Sequence, residues 1–259
     1  MTDHTSAPAG WYPAPHAGNE LRYWNGTEWT ASAPPAAPSS WPNQSGATPY
    51  PVAPARGVVR PLRGIAGATR ILLIVGAVFS LLTVVVEAWG LVAIEGFNQG
   101  LAAISALELY DTLSAPISLV SGAVLLATGV CWLVWQYRAA VRILAMNPTA
   151  TRRSPVWHVI SWMIPVISWW FPFQNVKDLV VASRANLTSG ILGTWWGLWI
   201  ASTTLVSLSG RLSWNADSLS DYTAAMSTSL LGEVLSVAAV PLALMVLART
   251  TEAMEPAAR

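Results

Sequence analysis

Apolar residues in this chain come in long blocks separated by short polar stretches, after an opening segment that has no such block. From about Ile71 to Ile94, and again from about Ile117 to Tyr137, the run matches the roughly 20 helical residues needed to cross a hydrocarbon core. Two later runs, about Ile191 to Leu212 and about Leu230 to Leu247, are also long enough to cross, and Pro241 is expected to kink the last. A third region, Val156 to Phe173, differs because Pro165 and Pro172 interrupt it and leave pieces too short to span unaided. Past Pro172, the residues Phe173, Val176, Leu179 and Val180 recur at helical spacing against Gln174, Asn175, Lys177, Asp178 and Arg184. That pattern predicts an amphipathic helix lying in the membrane interface. The reading is an all-α polytopic membrane bundle of four spans plus a Pro-broken re-entrant or interfacial hairpin; five full crossings are the alternative.

The opening segment is of another kind. Residues 10–30 interleave the aromatics Trp11, Tyr12, Tyr23, Trp24 and Trp29 with the turn residues Pro13, Pro15, Gly18, Asn25 and Gly26. Asn25-Gly26 predicts a hairpin joining strands Leu21–Trp24 and Thr27–Thr30, with Trp11 and Pro13 packing back on the sheet. Residues 1–30 are therefore expected to form a small β-hairpin-type, Trp-rich soluble module. Pro, Ala and Ser bias then marks residues 31–64 as an extended linker. The membrane domain occupies residues 65–250, and residues 251–259 form a C-terminal tail.

Composition strengthens the membrane reading: 53% of residues are hydrophobic and 10% charged, against about 25% charged in soluble domains. A net charge of +1 gives no reason to expect nucleic acid as a partner. The basic residues matter by position. Arg56, Arg60, Arg63 and Arg70 precede the first span, Arg138, Arg142, Arg152 and Arg153 follow the second, and the connection between them carries Glu95, Glu108 and Asp111 without Lys or Arg. The positive-inside rule puts the N-terminus in the cytoplasm, keeps Lys177 and Arg184 inside if the third region is a hairpin, leaves Arg211 external and returns the C-terminus to the cytoplasm. Tryptophans agree, with Trp132, Trp135, Trp157, Trp162, Trp169, Trp170, Trp195, Trp196 and Trp199 expected as a belt toward the inner side and Trp89 and Trp214 toward the outer. No basic-then-apolar leader opens the chain, so insertion is expected to rely on the internal spans.

Two stretches resemble known families. Ser161 to Ser183, SWMIPVISWWFPFQNVKDLVVAS, has two prolines flanking an aromatic-rich turn before an amphipathic helix, and Trp195-Trp196 opens the fourth span. This resembles the actinobacterial membrane family called domain of unknown function 4328, over roughly residues 65–250. In that pattern an Arg often precedes the second proline, whereas Phe171 stands here, so a role of such an Arg in phosphate or partner binding does not carry over. Residues 10–30 resemble domain of unknown function 2510, a short Trp-rich module at the N-terminus of actinobacterial membrane proteins. The resemblances imply class, topology and an actinobacterial source, and no reaction.

Candidate chemistry is sparse. The sequence has no Gly-rich phosphate loop and no HExxH, Cys131 is single, and His4, His16 and His158 are scattered, so no enzyme, cofactor or metal is expected. The broken-helix motif Pro165, Trp169, Trp170 and Pro172 is one candidate site. Another is a charge cluster: Glu87, Arg211 and Glu233 lie in or beside spans at one depth, and an intramembrane charge generally has a partner. Arg211 is expected to neutralise Glu87 or Glu233, with Glu87 preferred, although each lies near a span end where it can reach interfacial water. Gly193, Gly197 and Ala201 repeat at the four-residue spacing that permits close helix approach, within the bundle or between protomers of a homo-oligomer. The expected function is an interaction or scaffold protein in the bilayer that recruits a protein partner through its N-terminal module. The alternative is a small-solute transporter or channel component, to which the broken third region points.

Overall fold

The computed structural model describes residues 10–13, 21–30 and 60–255, and the chain divides into two units, residues 1–55 and 56–259. Most of the expected linker, His4, His16, Arg56 and residues 256–259 of the tail lie outside the described residues.

The N-terminal unit holds an antiparallel sheet of β1 (Gly10–Pro13), β2 (Leu21–Trp24) and β3 (Trp29–Thr30), in that order. Trp24 pairs with Trp29 across β2 and β3, so the turn comprises residues 25–28 and is longer than the two-residue hairpin expected. Asn25 sets it. Its side-chain oxygen accepts from the Thr27 and Glu28 N–H groups, both at 2.8 Å, and from the Thr27 hydroxyl at 2.9 Å, the way Asn organises a turn two residues on. Gly26 follows at φ 101°, a conformation a β-branched residue does not adopt without strain. Residues 10–13, expected only to pack back on the sheet, form its third strand; the side chains of Trp11 and Pro13 lie outside the described residues.

The second unit consists of α1 (Arg63–Asn98), α2 (Ile104–Met146), the short α3 (Trp157–Ile160), a 3-10 turn over Ile167–Trp169, α4 (Phe171–Ser183), α5 (Ser189–Trp214) and α6 (Leu219–Met254). Among the described residues, the four helices α1, α2, α5 and α6 are long and apolar enough to cross a membrane; the chain is a multi-pass membrane protein. The 36 residues of α1 rise about 54 Å against a hydrocarbon thickness of about 30 Å. Helix therefore continues beyond the lipid. That is why Glu95, Glu108 and Asp111, expected in a connection, lie on helical turns, and the connection shrinks to residues 99–103. Pro116 lies inside α2 and Pro241 inside α6 without ending either helix, as membrane helices tolerate. The onset of α6 at Leu219 is fixed by a capping box, in which Ser218 Oγ accepts from the Asp221 N–H and Asp221 Oδ2 accepts from the Ser218 N–H.

Helix α1 packs against α2 and α6, and α6 against α5, while α4 lies against α2 and α6. At one end the Glu255 carboxylate accepts the N–H groups of Leu62 at 3.0 Å and Arg63 at 3.2 Å and pairs with Arg142. Arg63 Nη2 also donates to the Glu255 carbonyl at 2.7 Å. The start of α1, the end of α2 and the end of α6 therefore meet. At the other end a Cβ on Gly90 would collide with Tyr110 and Met226, one on Gly232 with Val206, and the Ser209 hydroxyl donates to the Ala225 carbonyl at 2.8 Å. The buried core, including Leu62, Trp135, Ile143, Val176, Leu179, Leu192 and Val246, sits toward the Glu255 end, beside α4.

Candidate functional site

The third apolar region becomes a packed, irregular segment. Pro172 takes one of the first two positions of α4, where its missing N–H breaks no helical bond; it starts a helix where it was expected to interrupt a span. The break lies upstream. Val166, following Pro165, has φ 67° and ψ −51°, and the Ile167 N–H donates to the Pro165 carbonyl at 2.8 Å. This is a γ-turn, a rare and strained geometry, and rarer for a β-branched residue.

The two faces of this segment are opposite in character. Its inner face is polar and buried. Asn175 Nδ2 donates to the Trp157 carbonyl at 3.0 Å and to Ser161 Oγ at 3.1 Å, while Arg153 donates to Asn175 Oδ1 at 3.2 Å and Gln174 Oε1 at 2.6 Å. The Arg153 guanidinium lies 3.6 Å from the centre of the Phe171 ring, a cation–π contact. Arg152 pairs with Asp178, Nε to Oδ1 at 3.4 Å. Of the polar positions of α4, Gln174, Asn175 and Asp178 bond to the segment just upstream, at Arg152, Arg153, Trp157 and Ser161, and Asn175 is fully buried. The outward face is apolar: Met163, Val166, Trp169 and Trp170 are 75%, 83%, 61% and 63% exposed.

His158 lies at the bottom of this stitching, fully buried. Indole N–H groups only donate, so the 3.2 Å contact from Trp162 Nε1 fixes Gln136 Oε1 as acceptor and turns Gln136 Nε2 toward His158 Nδ1 at 3.5 Å. These bonds assign the His158 proton to Nε2, which has no hydrogen-bond partner among the described residues. Burial first, and the charge of Arg153 second, lower its pKa from 6.5 to about 4. Folded protein thus binds the proton more weakly than unfolded chain, and stability falls as pH drops from 6.5 toward 4. The whole effect amounts to about 3 kcal/mol. Thermal unfolding of the purified protein across that window is expected to show this slope, and His158→Gln to lack it; equal slopes for both proteins would contradict the assignment.

Many tryptophans expected as an interfacial belt are core residues. Trp135 is fully buried and donates to Thr251 Oγ1 at 3.0 Å. Trp132 touches Trp135 and Trp195, Trp162 meets Trp196 and Trp199 edge-on, and Trp196 stacks on Trp199 at 4.9 Å. Trp196 Nε1 donates to the Trp169 carbonyl at 3.2 Å, fastening the broken segment to α5. Trp157, Trp169, Trp170 and Trp214 do face outward.

The expected charge cluster is only partly assembled. Glu87 accepts from the Tyr110 hydroxyl at 3.0 Å, with Ser229 and Glu233 as its other polar neighbours. Arg211 is exposed in a hollow with Leu212, Asn215, Asp221 and Ala224, and the ion pairs among the described residues do not include it. The structure thus supplies Glu87 with a neutral donor from α2 where a cation from α5 was expected. No sequence signal marked Tyr110, which reaches Glu87 because Gly90, one turn on, lets its ring close against α1. Gly193 and Gly197 have no atom within 4 Å of an added Cβ; the close approaches within the bundle occur at Gly90 and Gly232. In the N-terminal unit, Tyr12 meets Trp29 edge-on at 6.2 Å, Trp24 lies 5.3 Å from Trp29, and Trp29 is exposed.

Compared with known proteins, residues 98–252 match the family described as "Domain of unknown function (DUF4328)" and residues 9–41 the one described as "Protein of unknown function (DUF2510)". The first match takes in α2 to α6 and leaves out nearly all of α1, with Glu87. No curated protein matches the chain, and no solved structure does.

Proposed function

Starting from the fact that the chain belongs to the DUF4328 family, we propose that it is a membrane scaffold whose N-terminal module recruits a protein partner. The carrying observation is where the polar groups of the membrane unit point: Gln136, Asn175, Arg153, Asp178 and Glu255 are bonded to other side chains and backbone of the bundle, which suits a rigid anchor. The aromatic Tyr12, Trp24 and Trp29 of the separate N-terminal unit are the recruiting surface, Trp29 being its exposed member. The bundle end that carries Arg63, Arg138, Arg142, Arg152, Arg153 and Lys177 faces the cytoplasm. The end bearing Glu95, Glu108, Asp111 and Asp217 faces outward. The bonds between Glu255 and the start of α1 support both termini lying on the inner side of four crossings.

Affinity capture with the full chain tests the recruitment. Valine at Gly26 should strain the turn by about 1–2 kcal/mol and Trp29→Ala remove the surface, so each should lose a partner that wild type retains, with membrane insertion unchanged. Undiminished capture by both variants would defeat the reading. A second reading, a small-solute carrier, draws on Glu87 and Glu233 near each other in spans. Solute flux in proteoliposomes that is reproducible and abolished by Glu87→Gln would favour it over the scaffold.

A further inference from the structure

We propose that the broken segment and the first two turns of α4 form a binding site for anionic phospholipid of the inner leaflet. The acyl chains would lie against Val166, Trp169 and Trp170, and the headgroup phosphate would face Arg152 and Lys177. The inference rests on the reading that this end of the bundle is the inner one.

The outward face of the segment is the first ground. Met163, Val166, Trp169 and Trp170 are large, apolar and exposed together, while the inward side of the same stretch holds its buried bonds to Asn175. A loop in water has the reverse pattern, so this face is matched to hydrocarbon. It is also continuous with a lipid-crossing helix, because Trp169 is bonded to Trp196 of α5.

Charge is the second ground, and it chooses the lipid. Gln174 and Asp178 lie one helical turn apart on α4, with Lys177 three residues after Gln174 on the same side, and to this side of the helix come the guanidinium groups of Arg153 and Arg152. Asp178 offsets one of these three cations; Lys177 has no ion pair among the described residues. Arg152 keeps about half of its side chain exposed beside Asp178. Trp157 meets Phe171 edge-on and the Arg153 guanidinium lies over the Phe171 ring, so the cationic side reaches the residue next in the chain to Trp170. An aromatic face edged by Arg and Lys is the arrangement by which a headgroup phosphate is held while its chains stay in lipid.

One reconstitution separates this proposal from the reading beneath it. A bimane probe on Val166→Cys, in a Cys131→Ser background, is placed in vesicles of brominated phosphatidylcholine. Strong quenching puts the segment in lipid; quenching no greater than for a probe on Asp217→Cys would overturn the interfacial reading and the proposal with it. Unbrominated phosphatidylglycerol or unbrominated phosphatidylcholine is then mixed in at equal fractions. Phosphatidylglycerol is expected to relieve the quenching at lower mole fraction, and Arg152→Gln and Lys177→Gln each to reduce that preference by about fivefold. Strong quenching relieved equally by both lipids would overturn the anionic-lipid site and leave the interfacial segment standing.

Discussion

Replacing Glu255 by Ala is expected to lower the stability of the purified protein by about 3 kcal/mol, through three losses at one side chain. The carboxylate satisfies two N–H groups at the start of α1, a helix whose Leu62 N-cap has no side-chain cap of its own. It places negative charge at the positive end of that helix, and it holds Arg142 of α2, which is left partly buried and unpaired without it. A simple ion pair survives exchange of its partners, but this one should not. Arg142→Glu with Glu255→Arg restores opposite charges and presents a cation to N–H groups that require an acceptor, so the double variant is expected to remain as unstable as Glu255→Ala. Recovery of wild-type stability in the exchanged protein would reduce Glu255 to an ion-pair partner and remove its role as a cap.

Leucine at Gly232 is expected to destabilise the bundle by about 3 kcal/mol, whereas leucine at Gly193 or Gly197 should change the monomer by about 0.5 kcal/mol or less. A Cβ at Gly232 would lie 2.8 Å from Val206 Cγ2, 3.1 Å from the Val206 backbone nitrogen and 3.2 Å from Leu205 Cβ. Backbone cannot turn aside as a side-chain end can, so α5 and α6 must part along the seam that joins them. Thermal unfolding in detergent, compared across the three variants, checks the contrast. Equal losses at Gly193 and Gly232 would mean that Gly193 also packs closely against something, with a second protomer as the natural choice.

Block hydropathy identified the crossings because lipid demands a minimum run of apolar residues, and the four helices follow it. It could not find their ends, since Glu95, Glu108 and Asp111 are polar residues on helix beyond the lipid, and Pro116 and Pro241 are tolerated inside spans. Spacing alone pointed to Gly193 and Gly197, while the glycines at helix contacts, Gly90 and Gly232, carry no repeat to announce them. Amphipathic periodicity located α4 but could not name the partners of its polar positions, because periodicity separates polar from apolar without distinguishing water from Arg153 or Ser161. Long-range pairs were the least legible: Glu255 with Leu62, and Glu87 with Tyr110, are created by helix packing. Asn25-Gly26 was legible as a turn since its chemistry is local; its length was not, because Asn25 bonds forward to Glu28.

The central claim is four crossings, with the broken segment and α4 kept on the cytoplasmic side. Single cysteines at Asn98, Asp217 and Lys177 in a Cys131→Ser background, exposed to a membrane-impermeant thiol reagent on intact cells, test it most directly. The account predicts labelling of Asn98→Cys and Asp217→Cys, and labelling of Lys177→Cys only after the membrane is opened. Labelling of Lys177→Cys on intact cells would contradict it.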